Sequence, residues 1–215
     1  DQIDLTQPFD LQFSMNFGDI DPNGADGIMF VLQTVGTNAL GQSGGGLGFL
    51  GFLPSFGIEF DTWWNQDYAD LTSDHIAMVS NGVVDHNSPN SLAGPVQASS
   101  TSINIEDGLD HTVRIVWNPL QQEMVVYFDC DLRLAHTVNL IADIFNGQSS
   151  VYWGFTAGTG GSFNNQIVCL SEDILSPVQS VTTCPDGAIT LDAGGDPTGT
   201  YLWEPADFLD DPTSA

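Results

Sequence analysis

Glu59, Asp61, Asn65, Asp70 and His75 crowd into one stretch of the chain, EFDTWWNQDYADLTSDH over residues 59–75. Ile58, Phe60 and Thr62 alternate with Glu59 and Asp61, the pattern of a strand, and side chains two apart on a strand share a face. Two carboxylates held on one face are costly unless something positive lies between them. The chain's two basic residues, Arg114 and Arg133, are far away in sequence. A metal ion is the natural counter-charge. Carboxylates, an amide oxygen and a backbone carbonyl suit calcium, a hard cation that takes many oxygens. Three carboxylates with one imidazole suit Mn2+ or another divalent transition metal. Asp61 and Asp70 could serve both ions. The competing reading is an acidic strand and loop without a metal, in a chain where acids are common.

The elements that must position these groups read as strands. Phe9, Leu11, Phe13, Met15 and Phe17 alternate with polar residues, which predicts a half-buried strand. Ile28–Leu32 is an apolar run of a strand buried on both faces. Ile76–Ser80, Thr112–Trp117, Met124–Phe128, Val151–Thr156 and Gln166–Leu170 complete the set, with a hairpin at Asn118-Pro119. Residues 81–102 read as a long polar surface loop, and Leu140–Phe145 as a short helical turn. No long stretch has helical period, and Gly/Pro/Asn turns separate the strands. The expectation is an all-β sandwich of two antiparallel sheets.

Composition narrows the function classes. The chain has 215 residues, 41% of them hydrophobic, enough for a sizeable core. Acidic residues number 28, and the net charge is −26. Phosphate backbones have no cationic partner here, so no nucleic acid is expected as a ligand. No apolar run reaches membrane-spanning length, so no membrane insertion is expected. The chain does not begin with Met and shows no signal peptide, which reads as a processed or excised piece.

With these residues in view, the 59–75 stretch resembles the metal-binding segment of the legume (L-type) lectins, including its EFDT strand. The resemblance implies a jelly-roll β-sandwich of the concanavalin A-like lectin/glucanase class over about residues 5–170, with the initial strand partly missing. It assigns Glu59, Asp61, Asp70 and His75 to a transition metal, and Asp61, the Trp63 carbonyl, Asn65 and Asp70 to calcium. Leu71 stands where the family often has proline, and Trp64 is unusual. Neither departure removes a ligand. Ala25-Asp26-Gly27 resembles the segment in which a cis peptide bond precedes a sugar-binding aspartate, Asp26. The GGG run at 44–46 resembles the loop that donates a backbone N–H to the sugar, from Gly45 or Gly46. WGFTAGTGG (153–161) resembles the loop that sets monosaccharide preference, with Thr159, Gly160, Gly161 and Ser162 offering donors. Trp63 would stack on the pyranose ring, and Asp26 and Asn65 would bind its hydroxyls. His86, His111 and His136 have no ligand partners at suggestive spacing and read as surface or hydrogen-bonded structural residues.

The implied function is a calcium- and transition-metal-dependent carbohydrate-binding domain of a secreted or cell-surface bacterial adhesin, not an enzyme, with a glycan as ligand. Two alternatives stand beside it. One is a jelly-roll glycoside hydrolase, although the ExDxxE pattern of some glucanases is broken here by Trp64. The other is an adhesin module in which calcium only stiffens the sandwich. The lectin-like domain is expected over residues 1–176. Residues 177–215 read as a linker and a truncated Ig-like or PKD-like module, with Trp203 packing little against the first domain. Cys130 and Cys169 each follow a strand and are expected to pair, as a secreted chain permits. Cys184 would belong to the next module.

Overall fold

Alternation of apolar and polar residues divides the strands into two sheets that face each other across one core. The structure, a computed structural model, describes residues 1–170. Eleven strands are formed among the described residues: β1 (Gln2–Asp4), β2 (Phe9–Asn16), β3 (Gly27–Gln33), β4 (Ser55–Asp61), β5 (His75–Ser80), β6 (Ser91–Gln97), β7 (His111–Asn118), β8 (Glu123–Phe128), β9 (Asp131–Thr137), β10 (Ser150–Gly158) and β11 (Ile167–Leu170). One sheet has the order β1-β10-β3-β4-β5-β6 and the other β11-β2-β7-β8-β9. Every pairing is antiparallel. Helical structure among the described residues is limited to short 3-10 turns at Gly44–Gly46 and Gln66–Tyr68 and a π turn at Leu140–Ile144. The expected all-β jelly-roll sandwich is the observed architecture, and the short turn expected at 140–145 is present. No helix among the described residues is long and apolar enough to cross a membrane.

The main core lies between the sheets. Leu11, Phe13 and Met15 of β2, with Val113, Ile115 and Trp117 of β7 and Met124, Val126 and Phe128 of β8, meet Ile28, Phe30 and Leu32 of β3, Ile58 and Phe60 of β4, and Ile76 and Met78 of β5. Each fully buried side chain of this size stabilises by about 1.5–3 kcal/mol relative to exposure. Trp117 keeps its polar atom satisfied by donating Nε1–H to the Leu5 carbonyl at 2.9 Å.

A second, smaller core covers the opposite face of the six-stranded sheet. Met29, Val31 and Val79 point outward there and pack with Leu47, Phe49 and Val84 from loops. This explains why β3, β4 and β5 are buried along their whole length. It also pins the 41–53 loop and the 81–90 loop onto the outer face, beside Glu59 and Asp61.

Three expectations need correction. Residues 81–102 are not all loop: β6 pairs with β5, with irregular register between Ile76 and Val79. The polar composition and Pro95, preceded by a cis bond from Gly94, hide the strand. Both are tolerated because β6 is an edge strand, where a missing N–H costs no ladder bond. The second missed strand, β9, is also at an edge and mostly exposed. Arg133 of β9 donates to the Gln97 carbonyl of β6 at 2.7 and 3.2 Å, joining the two edges.

The third correction concerns the cysteines. Cys169 is a free, exposed thiol and Cys130 is disulfide-bonded, so these two do not pair. Cys169 lies on β11 and Cys130 at the β8–β9 turn, three strand positions apart in the same sheet. At about 4.8 Å per strand, that separation exceeds the about 4.4–6.8 Å that a disulfide spans between Cα atoms. The expected linker and second module, and the packing of Trp203, lie outside the described residues.

Candidate functional site: a carboxylate and imidazole cluster beneath a loop-walled cleft

β4 is central in its sheet, and its two faces do different work. Phe56, Ile58 and Phe60 fill the main core, so Glu59 and Asp61 must face outward. Asp61 pairs directly with His75 of β5 and with Gly27 of β3, and Glu59 with Ala77 and Met29. The antiparallel register thus places Glu59, Asp61 and His75 on one face as neighbours. Despite facing outward they are deeply buried, at 1%, 4% and 1% exposure, because the loops fold over them.

Asp70 enters from the 62–74 loop. Its Oδ2 accepts the Asn65 N–H at 2.6 Å, and Asp61 Oδ1 accepts the Trp63 N–H at 2.7 Å. The two carboxylates therefore shape the loop while keeping other oxygens free. One ligand atom each from Asp61, Asp70 and His75 lies within 4.8 Å of the others. Three of the four residues expected to hold the transition metal are thus together, and the fourth, Glu59, places Oε1 3.7 Å from His75 Nε2.

The structure adds a member that the sequence reading placed elsewhere. His86 is not a surface histidine: its side chain is 3% exposed and lies within the cluster. One ligand atom each from Glu59, His75 and His86 also lies within 4.8 Å of the others. His86 Nε2 is 2.9 Å from Glu59 Oε1, 3.5 Å from Asp70 Oδ1 and 3.3 Å from His75 Nε2. It arrives on the 81–90 loop, anchored by Val84 in the outer core and by a 2.9 Å bond from the His86 N–H to the Tyr68 carbonyl. The apolar Val83-Val84 pair within a polar stretch was the available signal for such an anchor.

Electrostatics mark the cluster as incomplete. Burial, reinforced by the charges of Glu59 and Asp70, pushes Asp61 well above the usual carboxylate range. Burial likewise raises Glu59, against the opposing pull of His86. Asp70 is pushed up to about 6, mainly by burial. His75 is lowered to about 4 by burial and by the neighbouring His86. In His86 burial acts to lower the pKa, but Glu59, Asp70 and Asp85 outweigh it and the net shift is upward. Glu59 Oε1 has no hydrogen-bond partner even though His86 Nε2 is close, because the approach lacks hydrogen-bond geometry. Asn65 Oδ1 is a second buried acceptor without a partner. Orphaned buried oxygens call for a ligand, and this donor set of carboxylates, imidazole and amide oxygen fits a divalent cation.

The cluster underlies a binding surface built from three loops. The Ala25–Asp26 bond is cis, as the resemblance implied. Asp26 donates its N–H to the Gly158 carbonyl at 3.0 Å and accepts from Thr62 N–H at 2.9 Å, so β3, β4 and β10 converge on it. Gly27 follows at φ +140°, and a Cβ there would sit 2.3 Å from the Phe60 carbonyl oxygen, so only glycine fits. Asp26 Oδ2 is buried and unpartnered, which burial reflects in a raised pKa. It faces Gly160: a Cβ there would lie 3.8 Å from it.

Of the two glycines left open by sequence, Gly45 is the one that meets Asn65. A Cβ on Gly45 would come 2.6 Å from Asn65 Oδ1, whereas one on Gly46 would meet Gln42 and Leu50. The Gly44 N–H donates to Thr159 O at 3.2 Å, tying this loop to the 158–161 loop. In that second loop Gly160 donates its N–H to Ser162 O rather than outward, and no atom lies within 4 Å of a Cβ built on Gly161.

A cleft of about 440 Å³ runs along this surface, lined by Ser43, Gly45, Gly46, Trp64, Asn65 and Tyr68 among others. Trp64, assigned no role from sequence, is 52% exposed and forms one wall. Trp63 instead lines a neighbouring depression of about 250 Å³ with Pro22, Leu71 and Asp74, and Trp64 borders that one too.

The fold and the cluster together define a class: a β-sandwich module with a loop-walled cleft on the sheet face that holds the buried carboxylate and imidazole groups. The legume lectin beta-barrel domain family matches residues 1–172. The chain belongs to this family of carbohydrate-binding domains. Similar solved structures include the metal-free form of lectin I-B4 from Griffonia simplicifolia, 25% identical, with a TM-score of 0.60 over 79% of this chain and 75% of that one. Winged bean acidic lectin complexed with methyl-α-D-galactose is 23% identical, with a TM-score of 0.59 over 79% and 73%. A Bauhinia forficata lectin in complex with GalNAc is 18% identical, with a TM-score of 0.58 over 76% and 74%.

Proposed function

We propose that this domain binds a glycan in the cleft above the cluster, and that binding depends on calcium and on a divalent transition metal held by Glu59, Asp61, Asp70 and His75. The carrying observation is that Asp26 Oδ2 is buried, unpartnered and set against Gly160, while Gly45 packs against Asn65, whose own Oδ1 is among the oxygens that fit the cation. A fixed carboxylate acceptor flanked by glycine backbone suits sugar hydroxyls, which approach closely and need few, well-aimed partners. The ions would fix Asn65 and the 62–70 loop and so preorganise the cleft, without touching the sugar. In the organism the domain would serve a secreted or cell-surface adhesin.

A hydrolase reading is disfavoured by burial. A retaining glycosidase needs two carboxylates about 5 Å apart that flank the scissile bond. Glu59 and Asp61, the paired carboxylates of this strand, are 1% and 4% exposed beneath the loops and face imidazoles. A substrate could not straddle them. A glycan array including galactose and GalNAc ligands, run with calcium and manganese and again with chelator, tests the proposal. Metal-dependent glycan signals are expected. Signals unchanged by chelator would refute the dependence, and turnover of a labelled polysaccharide would refute the non-enzymatic reading.

A further inference from the structure

Building on the metal reading above, we infer that His86 is a direct ligand of the transition-metal site, making it a two-imidazole centre that prefers a late first-row ion of the zinc, nickel or copper class to manganese. The geometry carries this. Ligand atoms bound at about 2.1 Å, with angles between a right angle and the tetrahedral value, stand about 3.0–3.4 Å from one another. Around the centre, His86 Nε2 is 2.9 Å from Glu59 Oε1, 3.3 Å from His75 Nε2 and 3.5 Å from Asp70 Oδ1. His75 Nε2 is 3.7 Å from Glu59 Oε1 and 3.9 Å from Asp70 Oδ1. His86 completes the tightest edges of this polyhedron.

The local chemistry agrees. The His86 side chain is 3% exposed and aims Nε2 at Glu59 Oε1, a buried oxygen with no hydrogen-bond partner. Its other nitrogen, Nδ1, is 3.5 Å from the Ser91 hydroxyl on β6. An Nδ1–H donated to that oxygen leaves the Nε2 lone pair for an ion, the usual way a neighbouring group fixes a ligand's tautomer. Two Nε2 atoms 3.3 Å apart share at most one hydrogen bond between them, whereas an ion uses both. Each imidazole that replaces an oxygen donor moves preference from manganese towards zinc, nickel and copper.

The test uses the whole chain stripped of metal, with Zn2+ and Mn2+ titrated separately and in competition against wild type, His86→Ala and His86→Gln. Wild type should take zinc over manganese. In His86→Ala, zinc affinity should fall by more than about 100-fold, beyond the about 10–100-fold lost with a hydrogen-bonding neighbour. Manganese affinity should fall much less, so the preference collapses. Pulsed EPR on Cu2+-loaded wild type supplies a readout that needs no variant: two coupled imidazoles are expected, and one would overturn the assignment. An unchanged zinc-to-manganese ratio in both variants would also overturn it, while leaving the metal reading intact. A wild-type chain that takes up none of these ions would overturn both.

Discussion

Two buried histidine clusters in this sandwich have nearly the same composition and opposite character. His111 on β7 meets Asp107 and Asp129; His75 and His86 meet Glu59, Asp61 and Asp70. In the first cluster every polar atom of the imidazole is used. His111 Nδ1 is 2.7 Å from Asp129 Oδ2, and Nε2 is 3.2 Å from both the Ile105 carbonyl and Asp107 Oδ1. Its carboxylates are about two-fifths exposed, so water shares their charge. The ring also stacks on Phe128, with centroids 4.9 Å apart. In the second cluster the carboxylates are sealed from water and leave Glu59 Oε1 without a hydrogen-bond partner. A satisfied histidine and acid cluster is a structural joint. An unsatisfied one, sealed from water, calls for a further partner.

The largest effect expected from this contrast is at Asp61. It touches the other acids electrostatically, pairs with His75 across the strands, and holds the Trp63 N–H. Asp61→Ala should abolish binding of both ions in calorimetric titrations and, with them, glycan binding. The fold should persist, because β4 keeps Phe56, Ile58 and Phe60 in the core. Glycan affinity that survives in this variant would separate the sugar site from the cluster.

Acidity should affect the loaded and stripped forms in opposite directions. Asp70 titrates at about 6, and Glu59 and Asp61 also lie above their ordinary values, mainly through burial. Metal binding must displace protons from these groups, so ion affinity should drop as pH falls from 7 to 5. In the stripped protein the same raised pKa values mean that the folded state binds more protons than the unfolded chain. Its stability should therefore be greatest below the unfolded carboxylate values and decline as pH rises through about 6. His75, lowered to about 4, opposes this between about 4 and 6.5 but is one group against three. Thermal melts at pH 5 and pH 7, with calcium and with chelator, should show the two trends cross. Parallel trends would count against ions at this cluster.

At the structural cluster the expectation reverses. His111→Asn should lower stability by about 1–3 kcal/mol, the cost of leaving buried partners unsatisfied. For a domain of this size that is a melting-point drop of several degrees. Metal uptake should not change. The raised pKa of His111, where Asp129, Asp107 and the Ile105 carbonyl outweigh burial, adds stability that is full below about 6.5 and fades as pH rises through the folded value. Loss of calcium binding in His111→Asn would erase the distinction between the clusters.

How much of this was legible in the sequence depended on whether position followed local period. Glu59, Asp61 and His75 were legible because strand alternation fixes their face and antiparallel pairing makes them neighbours. The cis bond before Asp26 and the convergence of the GGG loop came through the family resemblance. His86 was not legible because it belongs to no period: it is delivered by a loop that doubles back over the sheet, held by Val84 and the Tyr68 carbonyl. The edge strands β6 and β9 were missed because edges tolerate Pro95, polar residues and exposure that a central strand would not. The Cys130–Cys169 pairing failed because strand order within a sheet, which separates them, cannot be read from chain order.

The finest distinction lies between adjacent tryptophans. Trp63 was expected to be the stacking platform, yet Trp64 is the one that walls the cleft shared with Gly45 and Asn65, while Trp63 lines the depression beside it. Neither indole is needed for the ions, since the Trp63 N–H that caps Asp61 is backbone and survives truncation. Trp63→Ala and Trp64→Ala should therefore both retain calcium affinity in titration. They should differ in glycan affinity. Losing an aromatic platform costs about 1–2 kcal/mol, a factor of about 5–30. If the sugar lies against the 440 Å³ cleft, Trp64→Ala takes that loss and Trp63→Ala takes little. If Trp63→Ala takes it instead, the sugar sits on the Pro22 and Leu71 side of the loop, and Asn65 must turn to reach it. Comparable losses in both would place the ring of the sugar across Trp64, the one side chain that borders both depressions.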